Sequence, residues 1–165
     1  MLSIRKATYE DCELINELAF KVFPVTYQHL LSPGQLEYMF EWMYSPENIR
    51  KQMDNNHVYF IAYDDVQPCG YLSVEQQDTN LFHLQKIYVL PDFQGKQVGK
   101  FIFENAVNYI KSIHPSPCLM ELNVNRDNPA LAFYERMGMK KLRQGDFPIG
   151  NGYFMNDYIM GLDIT

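Results

Sequence analysis

The chain is poor in the residues that several functional classes require. It has only three cysteines in 165 residues, Cys12, Cys69 and Cys118, and none stands in the C-x-x-C spacing of a zinc or redox motif. We therefore expect reduced thiols in a cytoplasmic protein, with neither a disulfide framework nor a metal site. No apolar run approaches the roughly 20 residues of a membrane span. The alternating, charged residues 1–14 do not resemble a signal peptide.

Basic side chains are also scarce. The sequence has 14 Lys and Arg against 20 Asp and Glu, a net charge of −6 and an isoelectric point near 5.1. Nucleic-acid binding depends on basic surface that displaces counterions, so we expect no nucleic-acid partner. The acidity is compatible with a small cationic substrate, although solubility alone also accounts for it.

Both common phosphate-binding motifs are absent. A P-loop aligned on Gly99-Lys100 would begin at Gln94 and end at Phe101, so it lacks its first glycine and its final Ser or Thr. The Gly-x-Gly-x-x-Gly pattern of dinucleotide-binding domains is absent as well. These mismatches disfavour a nucleotide-binding domain.

Residues 81–113 nevertheless predict an anion site. Alternation predicts a strand over residues 81–90, whose two faces carry Leu81, His83, Gln85, Ile87 and Val89 on one side and Phe82, Leu84 and Tyr88 on the other. A loop over residues 94–100 with two glycines follows, and apolar residues then recur at helical spacing to residue 113. A helix that begins after such a loop offers unpaired N–H groups to a phosphate.

The remaining pattern predicts a mixed sheet in one α+β domain over residues 1–165. We expect strands at residues 2–7, 57–63, 70–75, 118–124, 139–143 and 153–163. Helices are expected to begin at Thr8, Ser32 and Ser45 and over residues 129–137, and Pro24 is expected to interrupt the first. The first strands should form an antiparallel meander, and the fifth strand should run parallel to the fourth.

Two motifs resemble those of the GNAT N-acetyltransferases. The first is Gln94-x-x-Gln97-x-Gly99, after a strand that ends in IYVLP. Gln97 replaces the usual glycine, and we expect it to offer its backbone N–H at negative φ. The second motif is NRDNPALAFYERMGM, in which the matching residues are Asn128, Phe133, Tyr134 and Gly138. Together they cover about a third of the chain.

This resemblance implies a three-layer α/β/α fold with a mostly antiparallel seven-stranded sheet and four to five helices. Strands four and five would splay apart, and acetyl-CoA would lie in the opening. The residues implied to bind acetyl-CoA are Ile87, Tyr88, Val89, Gln94, Gly95, Lys96, Gln97, Val98, Gly99, Lys100 and Asn128. Asn128 is equally well explained as the N-cap of the following helix.

The resemblance also implies two catalytic roles. Tyr134 would donate a proton to the departing thiolate, and His83 would take a proton from the acceptor amine, directly or through a water. Tyr134 could instead be a core tyrosine, and His83 a hydrogen-bonded histidine of the sheet. Glu121 and Glu75 are reserve candidates for the base.

The expected function is transfer of an acetyl group from acetyl-CoA to a primary amine of a small molecule or a peptide. The ending YFMNDYIM is similar to that of bacterial polyamine acetyltransferases. The alternative is a non-catalytic acyl-CoA-binding regulatory domain of the same fold. We expect no membrane partner, and the sequence leaves open whether the protein is a monomer or a homodimer.

Overall fold

A seven-stranded sheet forms the centre of the protein, whose computed structural model describes residues 1–165. The strands are β1 (Leu2–Lys6), β2 (Val58–Asp64), β3 (Gln67–Asp78), β4 (Leu81–Val89), β5 (Cys118–Asn125), β6 (Lys140–Gly150) and β7 (Tyr153–Ile164). The helices are α1 (Cys12–Tyr27), α2 (Pro33–Tyr44), α3 (Pro46–Asp54), α4 (Val98–Ile113) and α5 (Ala130–Arg136). Each expected helix and strand is present.

The strand order is β1-β2-β3-β4-β5-β7-β6. All neighbouring strands are antiparallel except β4 and β5, which are parallel and joined through α4. This confirms the expected meander and the parallel fifth strand. The crossover through a helix is the usual way to join parallel neighbours.

Two helix starts follow directly from serine–proline pairs in the sequence. The side chains of Ser32 and Ser45 accept hydrogen bonds from the backbone N–H groups of Gln35 and Asn48, each at 3.2 Å. Proline occupies the first position of both α2 and α3, where its missing N–H costs nothing.

Three expected boundaries are wrong, and the simplest is that β3 extends three residues beyond each end of the expected 70–75. Pro24 does not interrupt the first helix but lies within α1, where Phe23 packs against Tyr27 and Tyr44; this packing outweighs the hydrogen bond that the proline removes. The sixth strand extends well beyond residues 139–143, because β6 pairs with β7 as far as Gly150. Pro148 is tolerated there because β6 is an edge strand.

Each face of the sheet has its own apolar core, which gives the expected three layers. One core contains the inner faces of α4 and α5, including Ile102, Ala106 and Tyr134. The other contains α1, α2 and α3 and is rich in aromatic side chains such as Phe23 and Tyr44. None of the helices has the length and apolarity that a membrane crossing requires.

Candidate active site

The loop before α4 offers a row of unpaired backbone donors. The N–H groups of residues 95–100 make no hydrogen bond within the protein. Gln97 is the N-cap of α4 and has φ +64°, so the expected negative φ is wrong. Its left-handed conformation explains why a glycine is usual at this position, since a side chain there costs about 1 kcal/mol. A loop of free N–H groups at a helix N-terminus fits a diphosphate.

Gly99 keeps the start of α4 close to its neighbours. A Cβ placed on Gly99 would lie 3.3 Å from the ring of Phe133 and 3.8 Å from Val89 Cγ2. Phe133 in turn packs edge-on against Phe103, with ring centroids 6.4 Å apart. A larger residue at position 99 therefore has to displace α5 or to project into the loop where the phosphates would lie.

The strands β4 and β5 separate as the resemblance implies. Their register covers only three pairs, the last of which is His83 with Glu121. Beyond that pair, the edge of β4 that faces β5 has no strand partner, and Ile87 and Val89 lie on this open part. Unpaired backbone groups at such an edge fit a ligand that carries amides of its own.

A β-bulge at Gln85 overturns the expected faces of β4. Ser73 pairs with Lys86 and Val74 pairs with Leu84, so one extra residue lies on β4 between these pairs. Ile87 and Val89 consequently join Phe82 and Leu84 in the core beneath α4. On the other face lie His83, Gln85, Lys86 and Tyr88. A bulge shifts the alternation by one residue, and no single-strand pattern reveals it.

A cavity of about 520 Å³ lies on this second face, between the sheet and α1 and α2. Its wall also includes residues from the β6–β7 hairpin, so three parts of the chain enclose it. Its polar and titratable lining side chains include Tyr27, His57, His83, Lys86, Tyr88 and Asp157. A concave apolar site with a few polar groups is the usual form of a small-molecule site.

His83 lies between two carboxylates on neighbouring strands. It is paired in register with Glu75 of β3 and with Glu121 of β5. Burial lowers its pKa below the ordinary histidine value, and the charges of Glu121 and Glu75 partly oppose this shift. His83 is therefore neutral at pH 7, which is the form that a base needs.

Tyr134 is buried where α5 faces the sheet. Its ring packs edge-on against Phe133 at 5.5 Å. Burial, with a smaller contribution from Tyr27, raises the pKa of Tyr134 well above its ordinary value. Its hydroxyl therefore keeps its proton at neutral pH and can donate it to an anion.

Asn128 is a buried residue two positions before α5, whose N-cap is Pro129. Its side-chain Oδ1 accepts a hydrogen bond from the N–H of Ala130 at 2.9 Å, which is the capping contact expected from the sequence. The Asn128 side chain also lies close enough to the hydroxyl of Tyr27 to act on its pKa, so the residue that caps the turn also reaches the cavity wall.

Sequence reasoning missed Lys86 and Asp157 in the cavity. The sequence offers Tyr27 only as one of several aromatic side chains over residues 25–56 that either pack in the core or line an acceptor pocket. Tyr27 shares a hydrogen bond of 2.8 Å with Tyr88, and burial lowers the pKa of Lys86 to about 7. Asp157 lies on β7 with 2% of its surface exposed. The available signal for Asp157 was an acidic residue that directly precedes the apolar run Tyr158–Met160 of the last strand; Lys86 was hidden by the bulge.

Comparison with known proteins places these features among acetyltransferases. Residues 27–151 match the family described as acetyltransferase (GNAT) domain. The chain is 26% identical over 145 residues to spermidine N(1)-acetyltransferase of Thermoplasma acidophilum, covering 84% of this chain and 88% of the relative. It is 21% identical over 141 residues to a peptidyl-lysine N-acetyltransferase of Salmonella typhimurium, covering 85% and 84%.

Solved structures share the fold at low identity. The PaiA N-acetyltransferase of Thermoplasma acidophilum, crystallised with coenzyme A, superimposes with a TM-score of 0.78 at 24% identity, covering 98% of each chain. The ribosomal-protein-S18-alanine N-acetyltransferase of Escherichia coli gives a TM-score of 0.73 at 17% identity, covering 100% of this chain and 95% of that one.

Proposed function

Because this chain belongs to the GNAT acetyltransferase family, we propose that it acetylates a primary amine of a small cationic molecule, with polyamines as the leading class. Acetyl-CoA is the acetyl donor. The observation that carries the proposal is the cavity beside the opening of β4 and β5, whose wall combines aromatic rings with the carboxylate of Asp157. The Thermoplasma relative named for spermidine supports the same class.

Several parts of the chain bind acetyl-CoA for a direct transfer of its acetyl group to the amine. The thioester of acetyl-CoA supplies an activated acetyl group when it is bound. The N–H groups of residues 95–100 hold the diphosphate, and the open edge of β4 at Ile87 and Val89 holds the amide-bearing arm. Asn128 contributes a side-chain donor, and Tyr88 lines the cavity at the same opening.

Two proton transfers complete the reaction. The amine attacks only as the neutral base, so its ammonium form must first lose a proton, and neutral His83 accepts it directly or through a water. The thiolate that leaves must be stabilised, and the Tyr134 hydroxyl donates a proton to it. His83 belongs to the last pair before β4 and β5 separate. Tyr134 of α5 is close enough to Tyr27 and Tyr88 of the cavity wall for their charges to interact.

The proposal is tested by an acetyl-CoA-dependent thiol-release assay. The panel contains polyamines, aminoglycosides, amino acids and a lysine-containing peptide. We expect spermidine to give the highest kcat/KM. Faster acetylation of the peptide would move the acceptor class to proteins, and no release with any amine would contradict the proposal.

Replacing Gly99 with valine should weaken coenzyme A binding by about 10- to 100-fold, equivalent to 1.4–2.8 kcal/mol. The added side chain meets the Phe133 ring and keeps a phosphate away from the N–H groups of the loop. Calorimetry with coenzyme A measures the change. Gln97→Gly is the matched variant in the same loop: it relieves the φ of +64° and should retain binding. Equal affinity of Gly99→Val and the wild type would refute the assignment of the loop.

Replacing His83 with alanine should remove or displace the acidic limb of the pH profile. A base works only when it is neutral, and burial lowers the pKa of His83, so the wild-type rate should fall with pH only below the range in which an ordinary histidine titrates. We expect a loss in kcat/KM of about 100-fold at pH 7. His114→Ala, at the end of α4 and outside the cavity, is the control. An active His83→Ala enzyme with an unchanged profile would make His83 structural.

A further inference from the structure

Asp157 is the only carboxylate in the wall of the cavity. It lies on β7 opposite Asn125 of β5, and 2% of its surface is exposed. Its one hydrogen bond comes from a neutral group: Asn123 Nδ2 donates to Oδ2 at 3.2 Å. No cationic side chain forms a salt bridge with it. A buried carboxylate without a cation is unfavourable, and proteins rarely keep one without a use.

The two glutamates that flank His83, and Arg126, have partners of their own. Glu75 contacts His57 at 3.3 Å, and Glu121 binds Arg143 at 3.0 Å. Arg126, whose charge acts on Asp157, is held at 2.7 Å by Asp146. Glu121 therefore has an arginine as its counter-ion, whereas Asp157 has none. Lys86, the only ammonium group in the cavity wall, donates to Gln52 and Tyr59 and not to Asp157.

The surroundings of Asp157 suit a cation. Tyr27 and Phe147 line the same cavity, and the face of an aromatic ring attracts ammonium groups. Burial raises the pKa of Asp157, while the hydrogen bond from Asn123 and the charge of Arg126 oppose this. After burial itself, the charge of Asp157 is among the causes that raise the pKa of Tyr27, so the two groups are close. An ammonium group that enters the cavity can therefore form an ion pair with Asp157, which has no cationic partner within the protein.

We propose that Asp157 holds a cationic nitrogen of the acceptor and makes the enzyme selective for positively charged amines. This assigns a specificity-determining residue and rests on the proposed function. The proton still leaves the reacting nitrogen towards His83; Asp157 holds the acceptor in the cavity and favours cations over neutral molecules.

Replacing Asp157 with asparagine tests this role. The substitution keeps the shape and a polar partner for Asn123 but removes the charge. We expect calorimetry on the coenzyme A complex to show spermidine binding weakened by about 30-fold or more, with unchanged affinity for coenzyme A. The Tm should stay equal or rise, because an unpaired buried charge has been removed. Asp163→Asn, on the same strand but exposed, should behave as the wild type.

Two outcomes would overturn the proposal. One is unchanged spermidine affinity in Asp157→Asn. The other is a lowered Tm together with weaker coenzyme A binding, which would mean that Asp157 serves the fold. The binding measurement needs no turnover, so it separates this inference from the proposed function. Binding that depends on Asp157, without thiol release for any amine, would refute the function and leave the inference standing.

Discussion

The Tyr134→Phe enzyme is expected to bind coenzyme A as the wild type does and to turn over roughly ten- to a thousandfold more slowly. The substitution removes only the hydroxyl group. The ring keeps its place against Phe133, where the centroids are 5.5 Å apart, so the position of α5 should not change. What is lost is the proton donor for the thiolate at the moment when its charge appears.

The burial of Tyr134 determines how the loss in kcat depends on pH. Because its pKa is raised well above the ordinary value, the hydroxyl is protonated throughout the working pH range, and the effect should not depend on pH between about 6 and 9. Steady-state kinetics with acetyl-CoA and the best amine give kcat, and calorimetry gives the affinity for coenzyme A.

Tyr109→Phe provides the matched control for Tyr134→Phe. Tyr109 belongs to α4 and packs against Phe60 at 5.0 Å, away from the cavity, so the loss of its hydroxyl should leave kcat unchanged. Full turnover by Tyr134→Phe would reduce Tyr134 to a packing residue. Reduced affinity for coenzyme A in this variant would mean that the hydroxyl acts in binding and not in the proton transfer.

The sequence predicts those parts of the fold that depend on local signals. The serine–proline pairs before α2 and α3 mark helix starts because capping and the fixed φ of proline act within one turn. The parallel pairing of β4 and β5 follows from the intervening helix. The same locality explains why residues 94–100 could be identified as an anion site: a loop that precedes a helix exposes its N–H groups whatever the rest of the fold does.

The errors arise where distant residues decide the structure. The bulge at Gln85 arises from the pairing of β3 with β4, which leaves one extra residue on β4. Because of it, Ile87 and Val89 lie on the face opposite to His83, and not on the shared face that alternation predicts. His83 nevertheless lines the cavity, together with Lys86 and Tyr88 from the same strand. Gln97 has positive φ because the loop must turn into α4.

The acceptor side of the site could be predicted only in part, from the aromatic residues over 25–56, because separate segments assemble it. Tyr27 of α1, Lys86 of β4 and Asp157 of β7 meet only in the folded chain. Neither hydrophobic periodicity nor a short motif relates them. Their buried charge states follow from that assembly as well, as Lys86 shows most clearly.

Replacing Lys86 with methionine is expected to stabilise the protein by about 1–4 kcal/mol at pH 7, as is found when buried charges are replaced by apolar residues of similar size. Only 5% of Lys86 is exposed, and no carboxylate pairs with it. Its Nζ donates to Gln52 Oε1 at 2.6 Å, contacts the hydroxyl of Tyr59, and lies 4.9 Å from the centre of the Tyr44 ring. In the variant, Tyr59 can still donate to Gln52.

The pH dependence identifies the cause of this effect. Burial lowers the pKa of Lys86 from 10.5 to about 7, so between these values the unfolded chain binds a proton that the folded protein does not. Stability therefore rises with pH across this window, by about 2 kcal/mol from pH 7 to pH 9. Below about pH 7, Lys86 is protonated in both the folded and the unfolded protein, so the loss of stability caused by burying its charge is at its maximum and no longer changes with pH. The advantage of Lys86→Met over the wild type should shrink accordingly as the pH rises.

Denaturant unfolding of both proteins at pH 6, 7, 8 and 9 measures this difference directly, because titrations that both proteins share cancel between them. Lys51→Met, an exposed lysine of α3, should show no such trend. A constant difference over this range would mean that Lys86 remains charged in the fold. Its contacts with Gln52 and the ring of Tyr44 would then have to compensate for burial of the charge, and the wall of the cavity would carry a positive charge at every working pH.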